Sequence, residues 1–393
     1  MSVTAARGFV AAGDAAGIKA SGAPDLAIVA TADGRPVAAA GTFTRNLALA
    51  GPVRVSQRHL TETGGRAAAV VLNSGNANCA TGDDVAVAEA MAAATAQAVG
   101  CQPTEVLVCS TGLIGIPLDA AVVVAGIAAV APTRSVAGGH DAAVALMTTD
   151  TRPKEAVATG GGCTVGGMAK GAAMLAPDMA AHPPHATMLA VLTTDAAVDP
   201  LSLAAMLQAA VDVSFNRVVV DGCTSTNDTV LLLAGGAAGP PTDAAAFAAA
   251  VTEVCSSLAR QMADDAEGHT KVVTIEVTGA ADDIEADRAA RALATSLLVK
   301  CSFHGSDPYW GRVLSDLGTA GVAVDVDALT IAYGGQVVSR GLGPCPHDAA
   351  AVAAAVGSPA FILACDLGVG TGSAWVLTND LSHAYVDENM GTS

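Results

Sequence analysis

Short runs of Val, Ile and Leu alternate with alanine-rich segments of helical length along the whole chain, and this pattern restricts the fold more than any other feature. β-Branched runs suit a pleated, half-buried strand and alanine is the best helix former, so the alternation predicts a layered α/β protein. Residues 67–72, 106–108, 218–220, 230–233, 272–277 and 361–364 read as buried strands. A helix over 83–99 opens on carboxylates and stops at Gly100; Asp199 and Pro200 open a second, through 213. Thr242 or Asp243 opens a third, and 282–298 reads as one further helix with a charged outer face. Aromatic residues make up only 3% of the chain against 42 glycines, so the core must be built from small aliphatic side chains with close backbone approaches.

At 393 residues the chain is long enough for two or three domains without a disulfide or metal staple. Nine cysteines, an odd number with no C-x-x-C pair, point to a reducing compartment. The start carries no charged-then-apolar leader, and the longest apolar stretch, 120–131, is too short to span a bilayer; a cytoplasmic protein with no membrane partner is expected. A formal charge of -18 repels polyanions, so nucleic acid is not expected as a partner either.

Several familiar motifs fail on inspection. The glycine-rich stretch 160–170 has Met168 where a phosphate loop needs lysine, and no G-x-G-x-x-G opens a helix after a strand. No G-x-S-x-G elbow is present. His182 and His185 flank a Pro-Pro with no Cys or carboxylate ligand nearby, so no metal site is expected. That Pro-Pro loop runs into an apolar segment, 186–192, which reads as a strand, and a loop-to-strand junction is well placed to present Thr187 as a nucleophile.

The segment KGAAMLAPDMAAHPPHATMLAVLTTDA, beginning at Lys170, resembles the self-cleavage region of the ornithine acetyltransferase family, K-G-x-G-M-[IL]-x-P-x-[ML]-A-T-M-L followed by T-D-A. GIKASG (17–22), GTFTRN (41–46), LNSGNANCATG (72–82), CSTGLIG (109–115), MTTDTRPK (147–154), FNRVVVDGCTSTNDT (215–229), DAEGHTK (265–271), GSDPYWGR (305–312) and DLSHAYVDEN (380–389) continue the resemblance in order. The chain departs from the pattern in about six additional residues, 181–186, before Thr187, in Ala173 for glycine, Cys301 for threonine and Tyr309 for asparagine, and in a terminus about one residue shorter.

The resemblance implies a layered α/β sandwich, over about 1–275, that bears the nucleophile, and a smaller C-terminal α/β domain over about 276–393. It implies self-cleavage between Ala186 and Thr187 into chains 1–186 and 187–393, which pair further into a heterotetramer of two α and two β chains. Thr187 would carry an acetyl group from N-acetylornithine to glutamate in a ping-pong cycle of cyclic arginine biosynthesis. The chemistry is coherent, because a threonine hydroxyl needs a nearby base and the amine freed at Thr187, with a reference pKa of ~7.7 to 8.0, supplies one. Thr111 and Gly112 match the family's oxyanion hole; the residues alone leave a strand-ending turn open as the alternative. Thr148, Lys170, Thr187, Glu267, Asn389 and the terminal Ser393, or Thr392 in its place, match the substrate contacts. No cofactor is implied, with acetyl-CoA open as a co-substrate. The rival readings are an amidase or aminopeptidase with water as acceptor, a relative recruited to another acyl acceptor, and an uncleaved binding protein.

Overall fold

The computed structural model describes residues 2–176, 179–180 and 188–391; the expectations for Ala186, Thr187, His182, His185, Thr392 and Ser393 lie outside them. The chain divides into two compact units, Met1–Asn216 with Cys223–Met262, and Arg217–Gly222 with Ala263–Ser393. The strand Val272–Ala280 lies wholly within the second unit.

The first unit stacks two sheets. One has the order Phe9–Asp14, Leu26–Thr31, Ala69–Asn76, Val106–Leu113. The other runs Arg66–Ala67, Val37–Thr44, Thr229–Gly239, Leu189–Ala196, Cys163–Lys170, Lys154–Gly160, with Met179–Ala180 added beside Val37–Thr44. Ala27, Val29, Val70, Leu72 and Leu107 from the first sheet meet Phe43, Met168, Leu189, Val191, Leu231 and Leu233 from the second in one apolar core. Burying each such Val, Leu or Phe contributes roughly 1.5–3 kcal/mol. The outer face of the first sheet packs Ile28, Val71 and Val108 against Met91 and Ile127 of the helices Asp84–Val99 and Ala120–Val130. Helix Ala244–Ala263 covers the second sheet, with Val254 and Leu258 against Gly167. The expected mixed α/β architecture is present, with two facing sheets covered by helices on their outer sides.

Helix starts follow their capping residues. Asp199 accepts from the N–H groups of Leu201 and Ser202 ahead of Pro200–Asp212. Asp243, rather than Thr242, caps the next helix through Ala245 and Ala246. The glycine-rich stretch is a hairpin, in which Gly161 and Gly162 turn Lys154–Gly160 back into Cys163–Lys170. Pairing at 186–192 is seen from Leu189 onward, in the strand Leu189–Ala196.

The second unit has a sheet ordered Val218–Val219, Gly372–Asn379, Val272–Ala280, Ala360–Asp366, Thr330–Tyr333, Gln336–Arg340, Gly343–Pro344. The helix expected over 282–298 is two helices, Asp283–Thr295 and Leu297–His304. Ser296 breaks it, because its backbone is extended and its side chain caps the second helix at the Val299 N–H.

Candidate active site

Thr111 and Gly112 lie at the C-terminal end of Val106–Leu113, which pairs in parallel with Ala69–Asn76. The pairing is in step as far as Gly75 and Gly112, then shifts between Gly75 and Asn76. At the shift Gly112 has φ +132°, and a Cβ there would lie 2.3 Å from the Gly75 carbonyl carbon and 2.5 Å from the Asn76 nitrogen. Only glycine fits. Buried polar side chains lock the irregular backbone. The Ser110 hydroxyl donates to Asn73 Oδ1 at 2.5 Å and Asn73 Nδ2 to the Asn76 carbonyl at 2.8 Å. Asn227 Nδ2 donates to the carbonyls of Ala77 and Ser110 at 2.6 and 2.9 Å.

Lys170 ends the strand Cys163–Lys170 and is buried; its Nζ donates to Thr111 Oγ1 at 3.3 Å. A hydroxyl has two lone pairs and one proton, so accepting from Lys170 leaves Thr111 its own proton to donate elsewhere. Asp150 Oδ2 lies 3.9 Å from the Lys170 ammonium and accepts from the Thr148 N–H at 3.0 Å. Its Oδ1 accepts from Lys154 Nζ at 2.6 Å and from the Gly171 N–H at 2.7 Å. Burial opposes charge on Asp150, but Lys170, Lys154 and the Gly171 N–H outweigh it and bring the carboxyl down to about 2. Lys19 approaches the same group, with its ammonium on the carbonyls of Pro24 and Met147. Burial lowers its pKa, Asp25 raises it and Lys170 lowers it. Asp228 is fully buried, and neither carboxyl oxygen has a hydrogen-bond partner among the described residues. Burial pushes its pKa well above the carboxylate range, with Lys170 pulling the other way.

In the second unit, Asn389 Nδ2 donates to Glu267 Oε2 at 2.7 Å and to the Tyr385 carbonyl at 2.9 Å. Asp380 fixes the segment after Glu267, accepting from the Thr270 N–H and hydroxyl and from the Lys271 N–H, each at 2.7 Å. Ser382 Oγ donates to the Gly268 carbonyl and caps His383–Glu388 at the Tyr385 N–H. The His304 ring nitrogen lies 2.7 Å from Asp380. Burial again opposes the Asp380 charge, and these donors still depress its pKa.

The structure thus brings Thr111, Gly112, Lys170 and Thr148 together in the first unit, and Glu267 with Asn389 in the second. Ala186, Thr187 and Ser393 fall outside the described residues. Sequence reasoning left without a role Asp150, Lys154, Lys19, Asp228 and the Asn73–Ser110–Asn227 network. All lie within the quoted motifs; Asp25, outside them, anchors the Lys19 turn by accepting from the N–H groups of Ala16, Ile18 and Lys19. Among the described residues no group of three His, Cys, Asp or Glu side chains could hold a metal ion, and no helix is long and apolar enough to cross a membrane.

Buried lysines balanced against a carboxylate beside a strained glycine have the character of an enzyme site on a layered α/β scaffold. Comparison with family models matches residues 10–391 to the ArgJ family. The chain is 48% identical over 401 residues to the arginine biosynthesis bifunctional protein ArgJ of Mycolicibacterium paratuberculosis, covering 100% of this chain and 96% of that protein. It is 46% identical over 398 residues to the protein of the same name from Streptomyces coelicolor, covering 100% of both. Among solved structures, the ornithine acetyltransferase of Mycobacterium tuberculosis complexed with ornithine is 46% identical, the match covering 46% of this chain and 96% of that chain at a TM-score of 0.41. The chain belongs to the ArgJ family and is an enzyme of arginine biosynthesis.

Proposed function

We propose that the chain transfers an acetyl group from N2-acetyl-L-ornithine to L-glutamate, carried on Thr187 after self-cleavage at the Ala186–Thr187 bond. In the cleavage the Thr187 hydroxyl attacks the Ala186 carbonyl and the acyl group passes from nitrogen to oxygen. Water then hydrolyses the ester, leaving the Ala186 carboxylate and a free Thr187 amine. In each turnover that amine takes the hydroxyl proton as the oxygen attacks the acetyl carbonyl, and returns it to the departing ornithine amine. The glutamate amine then attacks the threonine ester and restores the hydroxyl.

Both halves pass through a tetrahedral oxyanion, for which Thr111 Oγ1 and the Gly112 N–H are the donors, each worth roughly 2.7–4 kcal/mol in such sites. The supporting observation is the Lys170 to Thr111 hydrogen bond, which occupies a hydroxyl lone pair and leaves the proton for the oxyanion. Lys170, Thr148, Glu267, Asn389 and the chain terminus would match the substrate's carboxylate and ammonium groups. The reaction as written needs no cofactor. The word bifunctional in the relatives' names makes acetyl-CoA a second donor to test. A cytoplasmic enzyme of two α and two β chains completes the reading, and the nine free cysteines suit that compartment.

The test is intact mass with amino-terminal sequencing, alongside an assay of acetylglutamate from acetylornithine and glutamate. Two fragments, the later one beginning at Thr187, and a single inactive chain from Thr187→Ala are expected. Full activity from an uncut chain would overturn the assignment of the nucleophile, and acetate without acetylglutamate would make water the acceptor.

A further inference from the structure

Asp150 has no role in the reaction as written, yet it joins two residues that do. Its Oδ2 faces Lys170 and holds the Thr148 N–H, while its Oδ1 holds Lys154 and the Gly171 N–H. We propose that Asp150 is a positioning residue for acyl transfer, which balances the charge of Lys170 and keeps its ammonium aimed at the Thr111 hydroxyl. The inference rests on the acetyl-transfer reading above.

Among the described residues, the charges around this carboxylate are mostly positive or already committed. Lys154 is fully buried and Lys170 is 4% exposed, so water screens neither well. Lys19 brings a third positive charge towards Lys170. Asp25 is committed to three N–H groups in the Lys19 turn. Among the described residues Asp228 is another carboxyl acting on Lys170, and its burial favours the neutral acid. Asp150 is the group whose burial is overcome by its cations, and so it supplies negative charge where the lysines meet.

Lys170 must stay protonated, because as a donor it frees the Thr111 proton for the oxyanion. Replacing Asp150 by asparagine removes the counter-charge at nearly constant shape. It also turns an amide N–H₂ or a neutral oxygen toward Lys170 and the Thr148 N–H.

The experiment measures kcat/KM for acetylornithine and glutamate across pH, with thermal unfolding, for the wild type, Asp150→Asn and the double variant Lys154→Met with Asp150→Asn. An opposite charge at this range is worth about 1–3 pH units. The alkaline limb of the D150N profile should therefore move down by about one unit or more, with a loss of about tenfold or more above the new midpoint and recovery toward lower pH. The double variant removes the second buried cation with its partner, so stability should return while the limb stays shifted, though by less than in D150N. This readout also decides the matter if D150N alone does not fold. A D150N profile of wild-type shape, a double variant with wild-type rate and profile, or failure of both variants to fold would each overturn the proposal and leave Asp150 a structural anchor. A wild type that forms no acetylglutamate removes the acetyl-transfer reading and this inference together, whereas an active wild type with an unaltered D150N profile removes the inference alone.

Discussion

At the scale of single residues, chemistry and folding separate most cleanly at Thr111. Its side chain is buried and accepts from Lys170, so it could serve the fold, the reaction, or both. If its hydroxyl stabilises the oxyanion, Thr111→Ala should lower kcat by about 10²–10³-fold. Thr111→Ser, which keeps the hydroxyl, should recover most of that loss. Kinetics and melting temperatures of the two variants check this, and alanine and serine variants equal in rate would assign Thr111 to packing alone. Asp150 makes a second residue-scale prediction. Its carboxyl titrates at about 2 in the fold against an ordinary 3.8, so the unfolded chain binds the proton more readily. The stability this contributes, roughly 2 kcal/mol, is fully present above about pH 4 and is lost as pH falls towards 2. Acid titration of the unfolding free energy should therefore be shallower between pH 4 and 2 in D150N; an unchanged slope would contradict the assignment. Thr111, Gly112 and Lys170 could be singled out from the sequence because each sits in a compact motif that the family resemblance covers. Asp150 was not, since its meaning comes from Lys170 and Gly171 some twenty residues on, and the motif MTTDTRPK does not reveal that its Asp and Lys face inward. Asn227 reaching the Ser110 carbonyl 117 residues away is likewise a product of the fold.

At the scale of elements, capping chemistry was the most legible feature. Asp199, Asp243 and Gly100 mark real helix ends because each satisfies backbone groups locally, without help from distant residues. The continuous helix expected over 282–298 was misread because Leu297 and Leu298 prolong the apolar run. In the fold both are exposed, at 68% and 62%, and begin the next helix after Ser296. The pairing of Glu267 with Asn389 is also an element-scale effect. Gly268 has φ +57°, and a Cβ there would lie 2.1 Å from the Tyr385 nitrogen, within the helix His383–Glu388. That contact cannot relax by rotating a side chain, because both partners are backbone. Gly268→Ala should therefore push the helix from the Glu267 turn and separate Glu267 from Asn389, while leaving Thr111 and Lys170 in the other unit as they are. A lost charge-assisted contact costs roughly 1.5–3 kcal/mol, so KM for acetylornithine should rise by about tenfold or more. Kinetics with acetylornithine as the varied substrate measure it. An unchanged KM would mean that the pair does not bind the substrate.

For the whole molecule, the informative relation is between the proposed cut and the sheet whose strands come from both sides of it in the chain. The layered α/β class was legible in the alternation of apolar and alanine-rich segments, but strand order was not, because nothing local in a strand names its neighbour. The observed order places Leu189–Ala196 between Cys163–Lys170 and Thr229–Gly239, and sets Val37–Thr44 beyond Thr229–Gly239. A cut at 186/187 therefore yields a sheet in which two central strands of the later fragment are flanked on both sides by strands of the earlier one. The apolar core is shared in the same way, with Phe43 and Met168 from before the cut against Leu189, Val191, Leu231 and Leu233 from after it. Separating the fragments would strip two ladders of hydrogen bonds and expose that core, and each fragment would be left with unpaired edge strands that invite aggregation. The cut protein should thus elute as one native species containing both fragments, which part only in denaturant. The later fragment expressed alone should be insoluble, and the uncut Thr187→Ala chain should melt within a few degrees of the cut one. Size exclusion, a denaturing gel and a thermal scan test all three. Fragments that separate in plain buffer would contradict the sheet order, because no arrangement with these four neighbouring strands lets one fragment leave without dismantling the sheet.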